Sequence, residues 1–344
     1  MQGLIVSSTG NWYEVWKEPL PLVGSQSASA DGASAVDGGL TAGGKPEVFV
    51  CQVKGNFRLK GVKTTNPVAV GDHVRFEWDA DRQTGWITAV EERKNVLIRK
   101  SVNLSKRTHI LAANIDRAFC VVSLREPYTP PGFIDRFTVA CEAYHLPCAI
   151  IFNKTDLYDD TAHADLAERM AVYESIGYPC FRTSAVTGEG VEALKAAMQG
   201  RVCLFSGNSG VGKSALANAV EPGLNLREGR ISETHLKGMH TTTFARMYRL
   251  AFGAFLIDTP GIKELGMVNL NTEEVSRYFP EMRPYAASCR FNNCTHEHEP
   301  GCAVKAAVEA GGIAAIRYKN YLNILHGDEV EEPGLLQNKQ EGRK

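Results

Sequence analysis

Gly207-Asn208-Ser209-Gly210-Val211-Gly212-Lys213-Ser214 fits the phosphate-binding pattern GxxxxGK(S/T). Glycines at this density let successive backbone N–H groups turn inward around the α- and β-phosphates of a nucleotide, and a helix opening behind them adds positive potential. Lys213 is placed to reach the β- and γ-phosphates and Ser214 to hold Mg2+, while Ala215 carries the loop into the helix. The flanks suit this chemistry: residues 201–205 read as a buried strand and residues 215–220 as the first turns of a helix.

Asn153-Lys154-Thr155-Asp156 closes another buried run, residues 147–152. A carboxylate at Asp156 can accept hydrogen bonds from guanine N1–H and the 2-amino group, a pair of donors that adenine does not offer in that arrangement. Asn153 would tie the neighbouring loops together, and the Lys154 stem could lie along the base. Ser184-Ala185-Val186-Thr187-Gly188-Glu189-Gly190 resembles the SAxTGxG loop whose Ser-Ala backbone contacts guanine in Ras-like GTPases; it also reads as an ordinary strand-to-helix turn, and the two readings are compatible. Asp258-Thr259-Pro260-Gly261 follows a strand and would supply Asp258 to the water shell of Mg2+ and the Gly261 N–H to a γ-phosphate. In the triplet 241–243, Thr242 is the expected Mg2+ ligand of the triphosphate state, although three threonines also read as a β-prone edge. Ile262 stands where many GTPases place the glutamine that orients the attacking water, so hydrolysis needs another positioning group. Lys213, Thr242 and His240 are the catalytic candidates, and His240 reads equally as a hydrogen-bonded loop residue.

Near the C-terminus Cys289, Cys294, His296 and Cys302 are spaced C-x4-C-x-H-x5-C. Three thiolates and an imidazole make a closed tetrahedral Zn2+ set with no position left for water, hence a structural one, with His298 as a substitute ligand. The six other cysteines lie in apolar runs and read as reduced core residues.

The elements that must position these groups alternate strand and helix from residue 117 onward, which implies a parallel sheet covered on both sides. Residues 272–282, 303–309 and 313–325 read as helices around the cysteine cluster. Before residue 111 five short alternating runs with turn residues between them suggest a small closed barrel of the OB type, interrupted by a Gly/Ser/Ala/Asp-rich insertion at about residues 24–46. Lys54, Arg58, Lys60, Lys63, Arg93, Lys94, Arg99, Lys100, Lys106 and Arg107, with Phe57 and the tryptophans, could form an RNA-binding face or a solvated face balanced by nearby acids. At 344 residues, 44% apolar and 22% charged, the chain has the composition of a globular protein of about two or three domains. A formal net charge of -1 provides no global field for nucleic acid, so any polyanion site must be local. Without a signal region or an apolar stretch of ~18 residues, a cytoplasmic address without membrane contact is expected.

The base-reading motifs precede the phosphate motifs, the reverse of the usual order in Ras-like GTPases. That order, with an OB-like segment before it and a cysteine-rich segment after it, resembles the RsgA (YjeQ-type) family of circularly permuted GTPases of small ribosomal subunit biogenesis. The resemblance extends from residues 49–58 to the cysteine motif and departs mainly at the insertion. It implies a multidomain α/β chain: an OB-like barrel at 1–111, a permuted Ras-like P-loop GTPase domain at 112–268, a helical zinc-binding domain at 269–330 and a polar tail at 331–344. It further implies GTP and GDP as ligands, Mg2+ with GTP, one Zn2+, and the small ribosomal subunit with its rRNA as partner of a monomer, hydrolysis driving release. Two alternatives remain at this stage: a GTP-gated RNA-binding clamp with negligible turnover, and a translation-factor-like GTPase on mature ribosomes.

Overall fold

The computed structural model describes residues 1–18, 46–54, 67–100, 108–226, 245–258 and 272–327. The insertion, Thr242, His240, Gly261, Ile262 and the polar tail lie outside the described residues.

The N-terminal strands are β1 (Gln2–Thr9), β2 (Trp12–Lys17), β3 (Val48–Val53), β4 (His73–Asp79) and β5 (Thr84–Val90). They pair in the order 1-2-3-5-4, and β4 returns to β1, which closes a barrel. Alternation drives this closure: Tyr13 and Val15 of β2, Phe49 and Cys51 of β3, and Val74 and Phe76 of β4 point inward and are buried. A hairpin of β6 (Val96–Lys100) and β7 (Thr108–Ala113) follows, and its Ala112 bridges to Val70, just before β4. Arg93 does not belong to the outward cation group. Asp72, fully buried, takes Arg93 Nε and Nη2 at 2.7 Å each, and Nη2 also reaches the Pro67 carbonyl.

The central part alternates as expected: β8 (Arg117–Val122), α1 (Pro131–Ala143), β9 (Cys148–Phe152), α2 (Asp160–Ser175), β10 (Cys180–Arg182), α3 (Val191–Met198), β11 (Val202–Ser206), α4 (Lys213–Val220), β12 (Arg246–Arg249) and β13 (Phe255–Asp258). The strand order is 10-9-8-11-13-12, parallel except for β12. Ile134, Phe137 and Cys141 of α1 with Leu166 and Tyr173 of α2 cover one face; Leu194 and Met198 of α3 with Leu216 and Val220 of α4 cover the other. One sheet runs through both parts, because Ser7 of β1 pairs with Arg246 of β12. The Trp16 ring also meets Phe255 at 6.3 Å.

Residues 272–282 form two short 3-10 turns, Thr272–Tyr278 and Pro280–Met282, where a continuous helix is expected. Pro280 has no N–H to extend the first turn and imposes an extended conformation on Phe279. Helices α5 (Arg283–Ala286), α6 (Ala303–Glu309) and α7 (Ala315–His326) follow. Their small core joins Val275, Phe279, Met282, Val304, Ile313 and Tyr321 to Val139 of α1.

A buried charge network fastens this region to the sheet. Arg317 of α7 donates to Asp135 of α1 at 2.6 Å and forks onto Glu281 at 2.7 and 3.2 Å. Asp135 also accepts from Tyr173 at 2.7 Å and from Asn320, and the guanidinium lies 4.6 Å from the Phe279 ring centre. Protein donors thus replace water around the carboxylate, which is what makes a buried ion pair tolerable. Tyr173→Phe removes one charge-assisted bond and should cost about 1.5–3 kcal/mol in urea unfolding.

Candidate functional site

The phosphate motif occupies the turn between β11 and α4. Gly207 has φ 146°, and a Cβ there would lie 2.1 Å from the Val121 carbonyl oxygen; Gly212 has φ 91°, and a Cβ would lie 2.5 Å from Asn153 Nδ2. Neither a left-handed backbone nor such close approach admits a side chain. Lys213, buried at the head of α4, donates Nζ to the carbonyls of Gly207 and Asn208 at 2.8 and 2.7 Å, so its charge is held under the loop. Ser214 beside it is also buried.

The Asn153–Asp156 and Ser184–Gly190 motifs follow β9 and β10. Asn153 donates Nδ2 to the Val211 carbonyl at 2.9 Å and accepts from Thr183 Oγ1 at 3.0 Å. One amide therefore ties the phosphate loop to both base-side loops, which brings the two halves of the motif set to one sheet edge. Ser184 donates its hydroxyl to Asp156 Oδ1 and accepts from the Thr187 N–H at 3.1 Å, orienting the carboxylate. Ala185 continues the same turn, which the Ser184 N–H to Glu189 carbonyl bond closes.

Asp258 ends β13 half-buried, and its buried Oδ1 has no hydrogen-bond partner among the described residues. Burial pushes its pKa up to about 6, with the Lys213 charge pulling the other way. An orphaned carboxylate oxygen beside a phosphate loop fits a hydrated divalent cation. Because the carboxyl gains protons on folding, its ionisation weakens the nucleotide-free protein as pH rises from about 4 towards 6. Its carboxyl carbon should titrate near pH 6 by NMR without ligand, and lower once Mg2+ and nucleotide are added.

Residues outside the recognised motifs, and motif residues to which the sequence assigned no contact, complete the site. The segment after β8 is one: Lys154 Nζ donates to the Glu126 carbonyl, Pro127 lies beside Gly210, and Arg125 Nη2 donates to both Asp159 oxygens at 3.0 Å. Tyr158 donates to the Asn153 carbonyl and accepts from the Leu124 N–H, both at 2.9 Å. Glu189 receives Thr155 Oγ1 at 2.6 Å and Arg182 Nε at 2.8 Å, bonds that hold its pKa down despite some burial. No spacing rule announces Arg125, Glu126, Pro127 or Tyr158; a run of Glu-Pro-Tyr-Thr-Pro-Pro signals only an extended turn.

The second cluster is also assembled. The ligand atoms of Cys289, Cys294, His296 and Cys302 all lie within 4.8 Å of one another. His296 Nδ1 is 3.6 and 3.5 Å from the sulfurs of Cys289 and Cys302, which are 3.9 Å apart. These separations suit the edges of one tetrahedron, and the donor set suits a soft or borderline metal ion. Burial pushes the His296 imidazole towards its neutral form. Around it, Tyr318 donates to the His296 carbonyl at 2.6 Å, and Glu299 accepts from Thr295 N–H and Oγ1 at 2.7 Å each. His298 stands apart, with Nε2 3.1 Å from Glu297.

The model of the RsgA GTPase family matches residues 90–268, and that of the RsgA N-terminal domain matches residues 42–87. A Bacteroides fragilis protein named small ribosomal subunit biogenesis GTPase RsgA is 46% identical over 329 residues, covering 96% of this chain and 97% of its own. A Porphyromonas gingivalis protein of the same name is 49% identical over 285 residues, 82% and 90% of the two chains. Among solved structures, YjeQ from Thermotoga maritima superposes with a TM-score of 0.72 at 33% identity over 95% of this chain and 97% of that one. YloQ, described as a circularly permuted GTPase, gives 0.67 at 26% identity over 95% and 94%. With the reversed motif order gathered at one sheet edge and both family models matched in sequence, the chain belongs to the RsgA GTPase family.

Proposed function

We propose that this GTPase binds the small ribosomal subunit, assists its late maturation and leaves it after GTP hydrolysis. The supporting observation is Asn153, whose amide joins the phosphate loop to the base-side loops and so makes one guanine nucleotide pocket from motifs in reversed order. In this reading residues 207–215 wrap the phosphates, Asn153, Lys154, Thr155, Asp156, Ser184 and Ala185 read the base, and Lys213 offsets charge developing on the γ-phosphate. Ser214 and Asp258, with Thr242, would hold Mg2+, which when bound draws charge from the β- and γ-phosphates. Gly261 would offer its N–H to the γ-phosphate, and His240 would position the water that Ile262 cannot.

Cys289, Cys294, His296 and Cys302 would hold one structural zinc ion, whose bonds replace the apolar core that this segment lacks. The barrel at 1–111 and the zinc region at 269–330 would grip rRNA around the GTPase part at 112–268, in a monomeric cytoplasmic protein. Among the described residues no helix is long and apolar enough to cross a membrane. Phosphate release by the purified chain, measured with and without small subunits, tests the reading. Stimulation by the subunit is expected, and equal rates would overturn it. Stronger stimulation by mature 70S particles would instead favour a translation-factor-like role.

A further inference from the structure

At the end of the sheet opposite the nucleotide loops, two arginines stand on neighbouring strands. Arg117 opens β8 and Arg201 immediately precedes β11, whereas the phosphate and base loops leave the far ends of β9, β10 and β11. The register sets Arg117 against Cys203, and strand alternation puts Arg117, Arg201 and Cys203 on the face covered by α3 and α4. Arg201 Nη1 donates to the Ala197 carbonyl in the last turn of α3. Arg117 Nε is buried and has no hydrogen-bond partner among the described residues. Asp116, the neighbouring carboxylate, is already engaged: Oδ2 accepts from the Val202 N–H at 2.9 Å, and Oδ1 lies 3.5 Å from Lys94 Nζ. Burial, then the charge of Arg201, destabilises the Arg117 cation.

Fold stability gives no reason for this arrangement. A buried N–H without a partner costs free energy, and two like charges carried on neighbouring strands repel. An arriving oxyanion removes both penalties together, because planar guanidinium forks donate along directions that match phosphate oxygens. We infer that Arg117 and Arg201 form an oxyanion subsite that takes a backbone phosphate of RNA on the side of the sheet away from the nucleotide. The inference rests on the proposed rRNA partner for the choice of phosphodiester; free phosphate shares the chemistry and is the other source to be separated.

The test uses the full chain. Its affinity for small subunits is measured across salt concentrations for the wild type and for R117M/R201M, which keeps stem volume and removes both forks. The slope of log affinity against log salt should fall by about 0.7–0.9 for each phosphate that the variant no longer neutralises, with GTP affinity unchanged. R117M alone should melt at the wild-type temperature or above, since a purely structural arginine would lower it. In 15N-labelled protein, the Arg117 Nε–H resonance should shift with a single-stranded RNA oligomer at concentrations where inorganic phosphate has little effect. A shift with phosphate alone, or an unchanged salt slope together with a silent Arg117 resonance, overturns the RNA subsite. If the wild type fails to bind subunits at any salt, the functional reading itself falls; if it binds and only the variant's slope is unaltered, only this subsite does.

Discussion

Asp156→Asn should lower GTP and GDP affinity by about 10²–10⁴-fold. The carboxylate of Asp156 is oriented by the Ser184 hydroxyl, which the Thr187 N–H fixes in turn. Guanine offers it two donors, N1–H and the 2-amino group, and a bond to a charged acceptor contributes about 1.5–3 kcal/mol. Losing the charge weakens one of these bonds and turns the other into a clash of two N–H groups, a loss of about 3–6 kcal/mol in all. Ser184 can still donate to the amide oxygen, so the loop should keep its shape. Xanthine replaces the 2-amino group by a carbonyl oxygen, which the asparagine N–H can meet. The variant should therefore bind xanthosine diphosphate more tightly than the wild type does. Calorimetric titration with both nucleotides checks this, and an unchanged GDP affinity would remove Asp156 from the base site.

Most of the architecture was readable because its signals are local. The alternation Tyr13, Val15 in β2 and Val74, Phe76 in β4 fixes which barrel face is inside, and the apolar run of β9 marks a strand buried on both faces. The motifs were readable because backbone geometry demands their glycines: only Gly fits φ 146° against the Val121 carbonyl at position 207. Long-range pairings left no such trace. Arg93 looks like any basic loop residue until Asp72, 21 residues earlier, is found buried beside it. Asp135, Glu281 and Arg317 come from elements far apart in sequence, and each alone reads as a solvated charge on a helix or turn. The same holds for Glu126 and Pro127, whose contacts with Lys154 and Gly210 depend on how two loops meet. The broken helix at Pro280 is a different case, since the proline that divides it stands in the sequence itself.

Removing the metal should produce the largest effect, and it should be unequal along the C-terminal region. Structural zinc contributes about 10–16 kcal/mol in small zinc-binding peptides at neutral pH. Here the four proposed ligands would hold the loop between α5 and α6, and Cys302 also caps α6 by accepting from the Lys305 N–H. Apart from the cluster, loop 289–302 is held by single hydrogen bonds such as Tyr318 to the His296 carbonyl, and α6 by Val304 and Ala307 in the small core, so chelation or Cys302→Ser should sharply lower their amide-exchange protection. Helix α7 has a second anchor in Arg317, whose bonds to Asp135 and Glu281 do not pass through the cluster. Its protection should fall by less than that of α6 and persist near Arg317 and Asn320. The cluster shares no residue with the phosphate and NKTD motifs, so GDP affinity should be preserved. Exchange measured by mass spectrometry on the metal-depleted chain checks the pattern. Unchanged protection in α6 after confirmed depletion would show that its helix stands without the ion, whereas equal loss in α6 and α7 would show that the Arg317 network cannot hold α7 by itself.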